Sequence, residues 1–270
     1  MSSSSLTFWE HLDELRASLI KIVLVTILFG IIAFFFKEAL FDIVLAPKND
    51  SFITYFWFQK IGSLFTSSEN VLDSFSVQMI NTGLADQFII HMKVSMYAGV
   101  LCASPYILYL LFKFVSPALY SKEKKYATTV VFSGYILFLA GVLLSYFLIF
   151  PLTFRFLGTY QVSSEVVNMI NLHSYISTLM MLCMMLGLAF EIPVLCWLFA
   201  KFGFLSASFM KKYRRHAIVI LLVISAIITP TTDIFTLLLV MMPIYSLYEA
   251  SILIVHCTRK SQISREVDES

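Results

Sequence analysis

The stretch ATTVVFSGYILFLAGVLLSYFLIF, from Ala127 to Phe150, contains no Asp, Glu, Lys or Arg. At about 1.5 Å per residue, a helix over it is long enough to cross a hydrocarbon core of about 30 Å. The apolar run is continuous rather than alternating at period two as a membrane-barrel strand would, so it reads as a helix. Similar blocks lie at Ile20–Phe36, Val94–Val115, Tyr175–Ala200, Ala217–Ile228 and Ile234–Val255. The composition agrees, with 59% hydrophobic and 13% charged residues, against about a half and a quarter in soluble domains. The expected class is an all-α membrane protein with six transmembrane helices in a single integral membrane domain over residues 1–270.

Basic residues orient these helices. Arg16 and Lys21 precede or enter the first block; Lys113, Lys122, Lys124 and Lys125 surround the second connection. Lys201, Lys211, Lys212, Arg214 and Arg215 fill the fourth, and Arg259, Lys260 and Arg265 lie in the tail. The alternate connections hold only Lys37, Lys48, Lys60, Lys93 and Arg155. The positive-inside rule then predicts both termini in the cytoplasm, an N-in/C-in arrangement. Residues 1–19 become a cytoplasmic amphipathic N-terminal helix, 37–93 a long external loop and 256–270 a cytoplasmic tail. No cleaved leader is expected, since Met1 to Ser5 lack a basic n-region.

Ala217–Ile228 covers roughly 18 Å as a helix, and Pro243 interrupts the last block, so two short C-terminal spans around a hairpin at Thr229 to Asp233 are predicted. The external loop carries Phe52, Tyr55, Phe56, Trp57, Phe58, Leu64 and Phe65, a composition suited to an interfacial segment on the outer membrane surface. Ser95, Gly99 and Ala103 repeat every four residues and permit close helix approach. Pro105 is expected to kink that helix.

Few polar residues stand out. Thr7 and Glu10 have capping-box spacing, and Phe8, Leu12, Leu15 and Leu19 share one face. Glu10, Asp13 and Glu14 crowd another part of that surface, either as a solvated face or as a carboxylate cluster that binds a cation. Glu123, among Lys122, Lys124 and Lys125, reads on its own as a neutralised surface residue. Glu191 lies between apolar stretches, where a carboxyl costs on the order of 3 kcal/mol. It should face a protein interior, a water-filled groove or a partner. Pro193 leaves the carbonyl one turn back without its donor. Asp233 precedes the last block and suits an N-cap as well as a functional role.

Enzyme signatures such as GxxxxGK[ST], HExxH and GxSxG are absent. The isolated Cys102, Cys183, Cys196 and Cys257 offer no zinc spacing. No cofactor is expected, and the balanced net charge of +2 gives no reason to expect nucleic acid. A secondary transporter using Glu191 as a proton or substrate site is one function class that these residues allow.

Taken in order, several residue groups resemble the TatC family of the twin-arginine protein translocase. They are His11 to Arg16, matching HLxELR; Ala46 and Pro47; Ser104 and Pro105; Ser116 to Tyr120 with Glu123; and Phe150 and Pro151. Phe190 to Pro193, then Thr229, Pro230 and Asp233, then Pro243, Tyr245 and Glu249 complete the set. The resemblance implies a concave, glove-like scaffold in the bacterial cytoplasmic membrane. Its implied partners are the bilayer, twin-arginine signal peptides of folded cargo proteins and single-span TatA/TatB-type subunits, in homo- and hetero-oligomers driven by the proton motive force. Carried over by position, Glu14 and Glu123 hold the arginine pair, Arg16 and Phe114 shape that site, and Pro47, Glu191 and Asp233 match further functional positions.

Overall fold

The computed structural model describes residues 8–57, 60, 78–115, 127–161, 163, 168–231 and 233–268. Among them, five helices are long and apolar enough to cross a membrane: Trp9–Phe35, Asp86–Phe114, Thr129–Thr159, Leu172–Lys201 and Ile234–Thr258. The expected amphipathic N-terminal helix and the first span are one continuous helix, α1 (Phe8–Phe35). Helix α2 (Lys37–Leu45) and a 3₁₀ turn at Ala46–Lys48 follow. Contacts group the chain into two units, residues 1–40 with 88–136 and residues 41–87 with 137–270.

In the first unit, α1 packs on α3 (Asp86–Val115). Ser95, Gly99 and Ala103 are all buried, so the small-residue stripe is the packing face. A β-carbon at Gly99 would lie 2.7 Å from the Gly30 nitrogen and the Thr26 carbonyl oxygen, whereas one at Gly30 would meet chiefly the Met96 sulfur at 3.1 Å. Backbone therefore approaches backbone at Gly99, as small residues in membrane helices allow. Pro105 sits inside α3 and cannot donate to the Leu101 carbonyl one turn back. The Ser104 hydroxyl donates to that carbonyl at 2.7 Å. Near the other end of α3, His91 stacks on Phe34, with centroids 4.0 Å apart, and its Nε2 meets the Phe34 carbonyl at 3.1 Å.

The next helix begins as α4 (Ala127–Leu144), passes through a π-helical segment at Ser145–Ile149 and continues as α5 (Phe150–Thr159); its residues from Leu137 onward belong to the second unit. Three tyrosines tie the end of α2 and the 3₁₀ turn to this unit. Tyr146 donates to the Ile43 carbonyl at 2.7 Å, Tyr175 to Val44 at 3.0 Å, and Tyr55 to Pro47 at 3.0 Å and Pro151 at 3.2 Å. The bonds to Ile43, Val44 and Pro47 satisfy carbonyls that a helix C-terminus leaves open, and the bond to Pro151 reaches the first turn of α5. Pro151 has no N–H for the Phe147 carbonyl, and the Thr54 hydroxyl donates to it instead. Phe150 and Phe154 each meet the Tyr175 ring edge to face at 5.0 Å.

The described residues are helical, as expected, apart from one short ladder in which β1 (Gln78–Ile80) pairs in parallel with β2 (Met169–Asn171), with Met79 opposite Ile170. The last helix corrects the sequence reading, being neither short nor broken at Pro243. After α6 (Leu172–Ala189), α7 (Ile192–Lys201), α8 (Ala207–Lys212) and α9 (Arg214–Ile228), helix α10 runs from Ile234 to Asp268. Membrane helices tolerate proline where neighbours satisfy the backbone. Glu249 does not end the helix either, because Arg214 pairs with it at 2.6 Å and the Tyr245 hydroxyl donates to it at 3.1 Å. By contrast α9 has 15 residues, about 22 Å, and is short as expected. Ala200, Ala207, Met210, Ile252 and Val255 form a core cluster where α7, α8 and α10 meet.

The Gly99 contact gives a direct test. Gly99→Ala should destabilise the protein by about 1–3 kcal/mol through overpacking against backbone, while Gly30→Ala, facing a flexible methionine, should cost less than about 1 kcal/mol. Thermal unfolding midpoints of the two variants in detergent should separate in that order.

Candidate functional site

The HLDELR turn lies near the start of α1. His11, Glu14 and Leu15, at i, i+3 and i+4, share a helix face. Glu14 is half-buried and Arg16 is exposed. Phe114, from the last turn of α3, stacks face to face on His11, with ring centroids 4.1 Å apart and an interplanar angle of 11°. The structure thus brings Phe114 to the face that carries Glu14. His11 is the residue that makes the contact, and sequence reasoning saw it only as one letter of a motif. Glu123 lies outside the described residues, as does Thr7 of the expected capping box.

Glu191 occupies the break between α6 and α7, where the long apolar block turns at Phe190 and Glu191. It is buried, and its Oε1 has no hydrogen-bond partner among the described residues. Backbone bonds continue across the break, from the Phe190 amide to the Leu186 carbonyl at 3.0 Å and from the Leu195 amide to the Glu191 carbonyl at 3.0 Å. A buried carboxyl oxygen without a partner carries a substantial desolvation cost, so this position is available to a hydrogen-bonding or cationic group.

Pro47 is buried in the 3₁₀ turn, and its carbonyl accepts the Tyr55 hydroxyl. The Arg155 guanidinium lies 5.3 Å from the Tyr55 ring centroid. Burial pushes the Tyr55 hydroxyl well above its ordinary range, against the lowering effect of Arg155, so it remains a donor. The tyrosines and Thr54 had no signal in the sequence as a set, because their acceptors lie as many as 131 positions away.

Asp233 is the N-cap of α10. The Thr236 amide donates to its Oδ2 at 2.7 Å, and the Leu237 amide donates to its carbonyl at 3.2 Å. Nearby, a cavity of about 530 Å³ is lined by Phe150, Phe154 and Tyr175 together with polar residues including Thr153, Asn171 and Thr231.

The sequence pattern of the family described as Sec-independent protein translocase protein (TatC) matches residues 10–243. The chain is 36% identical over 254 residues to the Sec-independent protein translocase protein TatC of Blattabacterium sp. subsp. Periplaneta americana, covering 93% of this chain and 95% of the relative. It is 31% identical over 269 residues to TatCy of Bacillus subtilis, covering 99% and 96% respectively. A crystal structure of the twin arginine translocase receptor TatC in DDM superposes with a TM-score of 0.74 at 31% identity, covering 91% of this chain and 99% of that one.

The cap at Asp233 separates its structural role from any other. Burial, the largest single influence, works to raise the carboxyl, but hydrogen bonding from Thr236, Thr231 and its own backbone together outweighs it and holds the group below the usual carboxylate range. A carboxyl lowered on folding stabilises fully above its unfolded pKa, and this contribution is lost as pH falls through the folded one. Asp233→Ala should cost about 1 kcal/mol at neutral pH. Asp233→Asn should keep the cap but lose the carboxyl's share of the acid dependence, read from unfolding midpoints across the acid range.

Proposed function

The chain belongs to the TatC family of Sec-independent protein translocase proteins, and from that membership we propose that it is the receptor and scaffold of a twin-arginine translocation system. In this reading it is a non-enzymatic, multi-pass protein of the bacterial cytoplasmic membrane. Its six spans, counting the short α9, form a concave N-in/C-in scaffold that recruits TatA/TatB-type single-span subunits for export driven by the proton motive force. Residues 1–270 then form one integral membrane domain.

The observation that carries the reading is the His11–Phe114 stack. It ties the turn bearing Glu14 and Arg16 to the end of α3, the point from which the chain continues towards Glu123. Two carboxylates suit two guanidiniums, since each accepts a bidentate, charge-assisted pair. Arg16 and Phe114 shape the site around them. Glu191 offers its unpartnered oxygen to a polar group of an inserted signal peptide or partner helix. Export by Glu191→Gln but not by Glu191→Ala supports that role, and full export by the Ala variant removes it.

The main test is binding of a twin-arginine signal peptide to the detergent-solubilised protein, with a twin-lysine peptide as control. Glu14→Ala or Glu123→Ala should each weaken binding by about 1–3 kcal/mol, roughly 5- to 150-fold. His11→Phe should preserve the stack and the affinity, whereas His11→Ala should lose part of it. Unchanged affinity in the Glu14/Glu123 double variant sinks the assignment. The topology is checked by impermeant thiol labelling in cells, where a cysteine replacing Ser163 should react from outside and one replacing Ser261 should not.

A further inference from the structure

The helical turn at residues 53–57 turns its apolar side chains away from the protein. Thr54 and Tyr55 are buried and held by the hydrogen bonds to Phe147, Pro47 and Pro151, while Ile53, Phe56 and Trp57 are 54%, 60% and 55% exposed. The Lys60 ammonium lies 5.8 Å from the Trp57 ring centroid. An outward cluster of Ile, Phe and Trp with a lysine beside it has the composition of a membrane-interface anchor.

The depth of the turn follows from the helix it is fixed to. The span Thr129–Thr159 has 31 residues, about 46 Å, and is longer than a hydrocarbon core of about 30 Å. Centred on the uncharged run between Lys125 and Arg155, a core of about 20 helical residues ends near Ile149, within the segment that Thr54 and Tyr55 grip. The first charge beyond Lys125 is Arg155, which sits beside the Tyr55 ring. The exposed apolar residues of this helix include Phe132, Ile136, Leu143 and Phe147. Phe52 stacks on Phe147, with centroids 5.7 Å apart and an angle of 12°. The outward turn therefore continues the lipid-facing surface of the helix at the level where hydrocarbon gives way to headgroups.

We propose that Ile53, Phe56 and Trp57 insert into the headgroup–acyl boundary of the leaflet opposite Lys122, Lys124 and Lys125. The occupant of this surface is phospholipid, and the anchor holds the Tyr55 contacts at a fixed depth. The inference depends on the chain spanning a bilayer and is independent of signal-peptide recognition.

The test uses the full-length protein with Trp9→Phe and Trp197→Phe, which leaves Trp57 as the sole indole among the three tryptophans. It is reconstituted into phosphatidylcholine and phosphatidylglycerol vesicles brominated either near the headgroup end of the acyl chains or near their middle. Bromine near the headgroup should quench Trp57 more strongly than bromine at mid-chain, and aqueous iodide should quench it weakly. Quenching by iodide alone, stronger quenching at mid-chain, or protection from all three quenchers would overturn the proposal. The last result would place the cluster against another protein surface. In the unmodified protein, a phospholipid with a photoactivated carbene near its headgroup should label the peptide containing Ile53 to Lys60. Absence of label there overturns the proposal independently of the variant.

Discussion

A carbonyl that loses its helical donor inside a bilayer has no water to turn to, and this constraint explains how the proline-rich membrane helices here are held. Pro105 takes a donor from Leu101, and Ser104 supplies another from its own helix. Pro151 takes one from Phe147, and Thr54 supplies it from a distant segment. The second solution is the more consequential, because it makes residues 41–57 part of the second unit rather than a loop draped over it. The tyrosine bonds to Ile43, Val44 and Pro47 extend the same principle to the open end of α2.

The Glu191 oxygen stands outside this pattern. At Pro105 and Pro151 the unmet backbone carbonyl finds a hydroxyl within the protein, but the Glu191 Oε1 is buried at a helix break without a partner among the described residues. In the scaffold proposed above, this oxygen would meet a polar group of another chain. The contrast with Glu249, neutralised by Arg214 and Tyr245, shows the same chemical group in its structural and its available form.

Five of the six expected spans were legible in the sequence as long apolar helices, because an uncharged run such as Ala127–Phe150 has few other physical solutions, and the small-residue stripe through Gly99 predicted its own packing face. Pro243 misled because the sequence does not reveal which neighbours make a proline tolerable in a membrane helix. The ladder between β1 and β2 is three residues long on each side, too short for a period-two pattern to emerge. His11 was visible as a letter, but its partner Phe114 lies at the far end of another helix, and only the fold unites them. The tyrosine bonds fail to show for the same reason, since their acceptors are backbone atoms that carry no residue signature.

Helix α1 has a mechanical consequence. Its 28 residues form an unbroken rod of about 42 Å, clasped at Gly30 by the backbone-close contact with Gly99. Glu14 lies about 24 Å from that clasp on one side, and Phe35 about 8 Å on the other. The rod is also fixed at both ends, by the His11–Phe114 stack at one and by the Phe34–His91 stack and hydrogen bond at the other. It is therefore a strut riveted at three points along α3 rather than a free arm. With no hinge between the rivets, the HLDELR turn, the glycine contact and the Phe34 end keep their spacing along the axis.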